Sequence, residues 1–323
     1  MNQTHDPPHR FKIMRTDAHR LPVLFIQMTA ILAVLLLGGC SDMILLHPKG
    51  PVGETERFVI IVAFMLMLIV VIPVIIMALW FPWKYRSSNT KAEYSPKWNF
   101  SGKIELTIWL IPAVIVTCLG FLIWNTTFQV DPYRPLDSTV KPVEIQAVSL
   151  DWKWLFIYPE QNIAVVNQLV FPVDVPLNFK ITSDTVMTSF FIPQLGSQVY
   201  AMAGMETMLH LMANESGTFT GQNQQFSGTG YSEMKFEAIA TSPEQYEAWL
   251  KKIGTSTEQL DLDRYQSLVQ PTSGYPVTYF SSVEQNLFKS IIGKYMPSTH
   301  NHGTASSGES NSMHMQAVGA KGE

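Results

Sequence analysis

Three apolar runs occupy the first third of the chain, and a finer alternation of apolar and polar positions occupies most of the remainder. The first run, residues 23–37, is about as long as the h-region of an export signal and too short to span a bilayer comfortably; it follows a leader carrying Arg10, Lys12, Arg15 and Arg20. The second, residues 58–81, contains no charged residue, includes Pro73 and is flanked by Trp80 and Trp83, which mark one membrane interface. The third, residues 104–124, has a single acid, Glu105, at its start. From Val143 the period changes. Val143-Glu144-Ile145-Gln146-Ala147-Val148 alternates as a half-buried strand does, and residues 152–158 continue with aromatics up to Pro159. Further strands are expected at 163–171, 177–182, 185–192, 198–201, 206–212, 217–222 and 234–240. They are short and separated by Pro, Gly, Asn and Asp, which predicts an antiparallel sandwich. Ser242-Pro243-Glu244-Gln245 reads as a capping box opening a helix to about Lys252, and a second helix is expected over 284–295.

Charge sets the orientation. Lys84, Arg86, Lys91, Lys97 and Lys103 lie between the second and third runs against one acid, Glu93, so this loop belongs in the cytoplasm and both flanks outside. Gly38-Gly39 before Cys40 matches the lipobox of bacterial lipoproteins, in which a lipid is attached to the cysteine. That match implies lipidation of Cys40 and, independently, an exported mature N-terminus. The alternative keeps residues 23–46 as a third membrane segment with an ordinary buried cysteine; Gly38-Gly39 followed by Ser41-Asp42 opposes a continuous helix there. The expected organisation is a signal peptide (1–39), an exported N-terminal segment (40–57), a transmembrane helix (58–81), a cytoplasmic loop (82–103) and a second transmembrane helix (104–126). A linker with Asp131-Pro132-Tyr133-Arg134-Pro135 (127–141), the β-sandwich (142–241), a helical region (242–296) and a compositionally disordered tail (297–323) follow. The fold class is a membrane-anchored α+β chain, a two-helix hairpin followed by an exported sandwich with C-terminal helices.

Composition narrows the chemistry. A net charge of −4 with 15% charged residues describes no nucleic-acid binder, and partners are sought in the membrane and its lipids. Only Cys40 and Cys118 exist, and Cys118 lies in the third apolar run. The exported part therefore has no internal disulfide, no thiolate metal site and no cysteine nucleophile. No phosphate-binding glycine loop, Ser/His/Asp set or zinc spacing stands out, so a self-contained catalytic centre is not expected.

The lipobox, two spans, the Glu at the start of the second, the aromatic Asp151-Trp152-Lys153-Trp154 and the terminal sandwich together resemble subunit II of the heme-copper respiratory oxidases. The resemblance implies a cupredoxin-like sandwich. In the cytochrome c oxidase branch that domain holds a binuclear copper centre on two loops. One loop has a His before Ser-Phe, where this chain has Thr188 before Ser189-Phe190. The other follows Cys-x-Glu-x-Cys-x3-His-x2-Met, matched here by Asn223, Gln225, Ser227, Tyr231 and Met234, with Gly228 and Ser232 in step. Both cysteines and both histidines are missing, and soft sulfur ligands are what select copper in such a centre. A lone Met234 thioether reads as core packing. The resemblance is therefore to the quinol oxidase branch, and residues 186–198 with Met202-Ala203-Gly204-Met205 are similar to the cytochrome bo-type ubiquinol oxidases. It implies an accessory chain that binds no metal or cofactor itself. Hemes, one oxygen-site copper and ubiquinol would belong to a partner, subunit I, with smaller subunits alongside and no cytochrome c.

The same resemblance places Glu105 near the mouth of a proton-uptake path, and ionisable groups in spans are functional candidates. The plainer reading is a first-turn carboxylate favoured by the helix dipole by about 0.3–1 kcal/mol. Trp152 and Trp154 read as packing once copper is absent. His300, His302, Met313, His314 and Met315 could form a copper-binding tail but are irregularly spaced, and Met202, Met205, Met208 and Met212 read as core filling. Two rivals remain: a cytochrome c oxidase subunit, opposed by the missing ligands, and a free-standing membrane-anchored lipoprotein that binds copper or another exported protein.

Overall fold

The computed structural model describes residues 43–93, 95 and 97–296. The signal segment with Cys40 and the His/Met-containing tail lie outside the described residues. A short 3-10 turn, Ile44–Leu46, precedes the first helix.

Helix α1, Pro51–Lys84, opens with proline at its first position and contains Pro73 and Pro82; helix α2, Gly102–Thr127, contains Pro112. Both are apolar all round, bury none of their most hydrophobic stretch against the rest of the chain, and are long and apolar enough to cross a membrane. In α2 the hydroxyls of Thr107, Thr117 and Thr126 each donate to the carbonyl four residues back, at 2.8 Å, so they need no water inside hydrocarbon. The 34 residues of α1 give about 51 Å of helix, well beyond the ~30 Å hydrocarbon core. The surplus turns at its N-terminus lie against the sandwich. Lys49 N–H donates to Gln194 O (2.7 Å), Gly53 N–H to Leu195 O (3.2 Å) and Asn214 N–H to Lys49 O (2.8 Å). The Ser197 hydroxyl donates to the Glu56 carboxylate, and Lys49 Nζ pairs with Glu215 at 2.5 Å. Gly50 is required by this approach, since a Cβ there would collide with the Met212 carbonyl. The α2 side is held too: Nδ1 of the buried His210 lies 2.9 Å from Pro132 O in the linker, which fixes the proton on Nδ1 when the ring is neutral.

Eleven strands follow, β1 Val143–Leu150, β2 Lys153–Tyr158, β3 Ile163–Val166, β4 Gln168–Pro172, β5 Leu177–Ser183, β6 Thr188–Phe190, β7 Val199–Ala201, β8 Thr207–Leu211, β9 Gly217–Gln222, β10 Lys235–Thr241 and β11 Thr278–Phe280. They form a six-stranded sheet in the order β11-β3-β2-β1-β5-β8, a three-stranded sheet β4-β10-β9 and the ribbon β6-β7. The sandwich is as expected, but it is not purely antiparallel: β1 pairs parallel with β5, and β4 parallel with β10. Three expected strands are also divided or shortened. The run 163–171 breaks at Asn167, which adopts φ 58° while its side chain accepts from Trp154 N–H (2.9 Å) and donates to Tyr275 O (2.7 Å), so the chain leaves one sheet and joins the other. Trp152 belongs to a turn, with φ 62°, and β6 spans only part of 185–192.

Among the described residues three further helices follow: α3 Pro243–Gly254, α4 Leu262–Val269 and α5 Leu287–Gly293. Ser242 caps α3 through Gln245 N–H (3.3 Å), and Asp261 caps α4 through Arg264 N–H (2.7 Å). The inner core joins Trp154, Phe156, Phe179, Phe190 and Phe236 between the sheets. Leu155, Ile157, Ala164 and Val166 point the other way and meet Tyr265, Leu268, Phe288 and Ile291. The C-terminal region thus covers the second face of the large sheet, which is why β2 is buried along its whole length.

Candidate functional site

The two loops read as a degenerate metal centre come together beside β6. Thr188 is fully buried and donates its hydroxyl to Ser149 Oγ on β1 at 2.6 Å. Asn223, 5% exposed at the end of β9, is the hub. Its Oδ1 accepts from Ser189 N–H and Gln225 N–H, both at 2.9 Å. Its Nδ2 lies within donor reach of Gln225 O (2.8 Å), Ser227 Oγ (3.1 Å) and Met234 Sδ (3.4 Å). Ser189 Oγ accepts from Gln224 N–H at 2.8 Å. One carboxamide thereby ties the start of β6 to the loop 223–234. Tyr231 opens the short 3-10 turn Tyr231–Glu233, half-buried, with its ring 5.9 Å from that of Phe226. A depression of about 130 Å³ lies alongside, lined by Asn223, Tyr231, Ser232 and Met234 among others.

Trp152 closes the loop from outside. Its Nε1–H donates to Ser227 O at 2.9 Å, and its ring lies against Gly230 and Gly228, where a Cβ at Gly230 would enter the ring. Gly228 has φ +104°, so glycine is needed there for the backbone as well. The packing reading of Trp152 and Trp154 fits these contacts, with Trp154 fully buried 5.3 Å from Phe190.

Two buried charges at this end of the sandwich were not singled out from sequence. Lys153 is fully buried; Nζ donates to Gln270 O (2.8 Å) and Asp151 O (3.2 Å) and faces the Tyr275 ring at 5.3 Å. Burial pushes its ammonium below the ordinary lysine range, against the opposing pull of Asp151. Asp184, in the β5–β6 loop, accepts from Tyr265 OH and Lys294 Nζ, both at 2.8 Å, and its carbonyl accepts from Tyr295 OH at 3.0 Å. Burial, then Asp184, pushes the Tyr265 phenol well up; the hydrogen bond to Asp184 raises Lys294. A charge within an aromatic strand was the available signal, but it acquires meaning only once the C-terminal region is known to cover that face.

Glu105 stands apart from all of this, exposed in the first turn of α2, its N–H bonded to Ser101 O at 2.9 Å.

Residues 137–240 match the family described as the cytochrome c oxidase subunit II periplasmic domain, and residues 255–298 the COX aromatic rich motif. Cytochrome bo(3) ubiquinol oxidase subunit 2 of Pseudomonas aeruginosa is 56% identical over 284 residues, covering 88% of this chain and 84% of its own length. The chain belongs to the ubiquinol oxidase subunit 2 family. A second member of the family, ubiquinol oxidase subunit 2 of Acetobacter aceti, is 51% identical over 265 residues, 81% of this chain and 86% of its own. Among solved structures, the periplasmic domain of subunit II of cytochrome oxidase from Bradyrhizobium japonicum is similar at 20% identity, covering 36% of this chain and 96% of its own, with a TM-score of 0.34.

Within this family the copper question turns on donor chemistry. The matched positions offer two amides, hydroxyls and one thioether, and the oxygen and nitrogen of the Asn223 amide are both engaged by protein groups. That set does not fit a binuclear copper centre, which requires bridging thiolates and imidazoles. Among the described residues no group of three or more His, Cys, Asp or Glu side chains is placed to hold a metal.

Proposed function

We propose that the chain is the non-redox subunit of a proton-pumping, heme-copper ubiquinol oxidase in the bacterial inner membrane, in a complex that oxidises ubiquinol and reduces oxygen to water. The observation that carries this reading is the pair of loops matched to the copper-site pattern, tied together by Asn223 and offering no thiolate or imidazole. Electrons would bypass this chain, with hemes, one oxygen-site copper and the quinol site in subunit I. Its work is assembly and stabilisation of that partner. The two helices pack against subunit I, the sandwich covers its periplasmic face, and Cys40 adds a lipid anchor. Glu105, at the end of α2 remote from the sandwich, forms one wall of a proton-uptake mouth; a carboxylate at the cytoplasmic end of a span suits that task.

The test is purification from native membranes in mild detergent, with heme spectra, metal content and oxygen uptake driven by ubiquinol or by reduced cytochrome c. Heme and ubiquinol-driven uptake, with copper only at the level of the oxygen site, are expected. A heme-free monomer, or uptake driven by cytochrome c with additional copper, would overturn the reading.

A further inference from the structure

We propose that Phe226 is a pre-formed docking anchor, held outward by the Asn223 amide, that seats the exported domain in an apolar pocket of the membrane-embedded partner subunit; this rests on the oxidase reading above. Phe226 is 75% exposed, more than any large apolar side chain of the two membrane helices. An aromatic this exposed on a floppy loop would mean little, but this one is fixed on both sides. Gln225 gives its N–H to Asn223 Oδ1 (2.9 Å) and takes Asn223 Nδ2 on its carbonyl (2.8 Å), and Ser227 O is held by Trp152 Nε1 (2.9 Å). The ordering entropy that binding normally exacts from a loop is already spent in folding.

The surroundings indicate the kind of partner. Ser189, bonded through its N–H to Asn223, pairs with Tyr200 in the β6-β7 ribbon, and Val186 and Met187 immediately precede that ribbon. These side chains are 44%, 55% and 42% exposed respectively, so an aromatic and aliphatic surface lies on the segments that meet at Asn223. Residues 222–232 contain no charged side chain. Aromatics and methionine at the centre, with the nearest charges of the loop, Glu233 and Lys235, beyond its end, are the composition of an interface core with a polar rim, whereas an electrostatically guided, transient partner needs complementary charge at the centre. The sandwich is also bonded to α1 through Lys49, Gly53 and Glu56, so a subunit that covers the hairpin meets Phe226 at a fixed position and a high effective concentration.

A photo-cross-linking p-benzoylphenylalanine replacing Phe226 in the full chain, irradiated in native membranes, should yield an adduct with the heme-bearing subunit. The same probe replacing Glu247, exposed on α3, should not. Phe226→Ala should weaken retention of the partner in detergent by roughly tenfold or more, the effect of an interface hot spot. Asn223→Ala should do so although Phe226 is kept, and the double variant should be no worse than the more damaging single one. An adduct with a soluble protein or a second copy of this chain would overturn the inference. So would no adduct, or unchanged retention in Phe226→Ala, while heme still co-purifies. Absence of heme from the unsubstituted preparation would instead remove the oxidase reading on which the inference stands.

Discussion

Asp184 joins the sandwich to the C-terminal region, and its removal has a magnitude that can be worked out from its neighbours. Its carboxylate side chain is 1% exposed and holds two donors of different character: the hydroxyl of Tyr265, a buried residue, and Lys294 Nζ, whose side chain is 54% exposed. In Asp184→Asn an acceptor remains for Tyr265 while the pairing with Lys294 is lost. Lys294 can rehydrate, so that loss is worth no more than about 1 kcal/mol. In Asp184→Ala the Tyr265 hydroxyl is also left without an acceptor, adding about 1–3 kcal/mol. The alanine variant should therefore loosen the C-terminal region by roughly 1–4 kcal/mol, a shift of roughly 5- to 700-fold in the opening equilibrium. Peptide-resolved hydrogen exchange of the purified full-length protein reads this directly, because opening of residues 255–296 is separable from opening of β1 and β5. Asparagine should fall close to the unsubstituted protein and alanine far from it. Equal effects of the two, or equal acceleration over the whole sandwich, would show that Asp184 is not a local clasp.

Alkaline pH should loosen the same region. Tyr265 and Lys294 are both raised above ordinary values of 10.0 and 10.5, so the folded state retains protons that the unfolded state releases. Stability contributed by both is complete below about pH 10 and falls as pH climbs beyond it; exchange in 255–296 that is flat from pH 8 to 11 after correction for intrinsic rates would contradict this. Gly230→Ala should displace the Trp152 ring and break its bond to Ser227 O, giving red-shifted tryptophan emission and about 1–3 kcal/mol of overpacking, and an unchanged spectrum would refute the packing described. Lys153→Met takes the donor away from the Gln270 and Asp151 carbonyls and should lower thermal stability by about 1–3 kcal/mol, whereas Lys153→Glu, which sets a carboxylate against those two oxygens, should cost more; a neutral Lys153→Met would refute the reasoning. Glu105→Ala should slow ubiquinol-driven turnover several-fold with heme content intact, and unaltered turnover would leave the carboxylate with only its helix-dipole role.

Much of this was legible in the sequence because the strongest signals are local. Apolar runs of membrane length, one free of charge and one with a single acid at its start, became α1 and α2, and the Ser242 cap opened α3 where the capping pattern placed it. Phe190 and Phe236 stack in the core beside the loops that the family resemblance matched to a metal-site pattern. What remained hidden depends on long-range contact. The parallel pairs join strands separated by other elements, a relation that period-two alternation does not encode. The break at Asn167 is fixed by Tyr275, more than a hundred residues later, and the burial of Lys153 by Gln270 and Tyr275. Helix α4 has only a short amphipathic stretch behind its Asp261 cap, and β11 only three residues, too little pattern to stand out. The positions matched by resemblance to copper ligands were readable as lacking thiolate and imidazole; that one carboxamide would tie the two loops together was not, since Asn223 has no distinctive spacing of its own.

The double attachment of the sandwich has a consequence for the order of events during biogenesis. Lys49, Gly53 and Glu56 fasten the outer turns of α1 to one side of the domain, while His210 fastens the chain leaving α2 through Pro132. The domain is thus a bracket with two arms. The distance between the helices on that side of the bilayer is set by a folded protein rather than by lipid. Once the bracket has folded, the spacing of the two helix ends beside it is already gauged before any other surface packs against the hairpin.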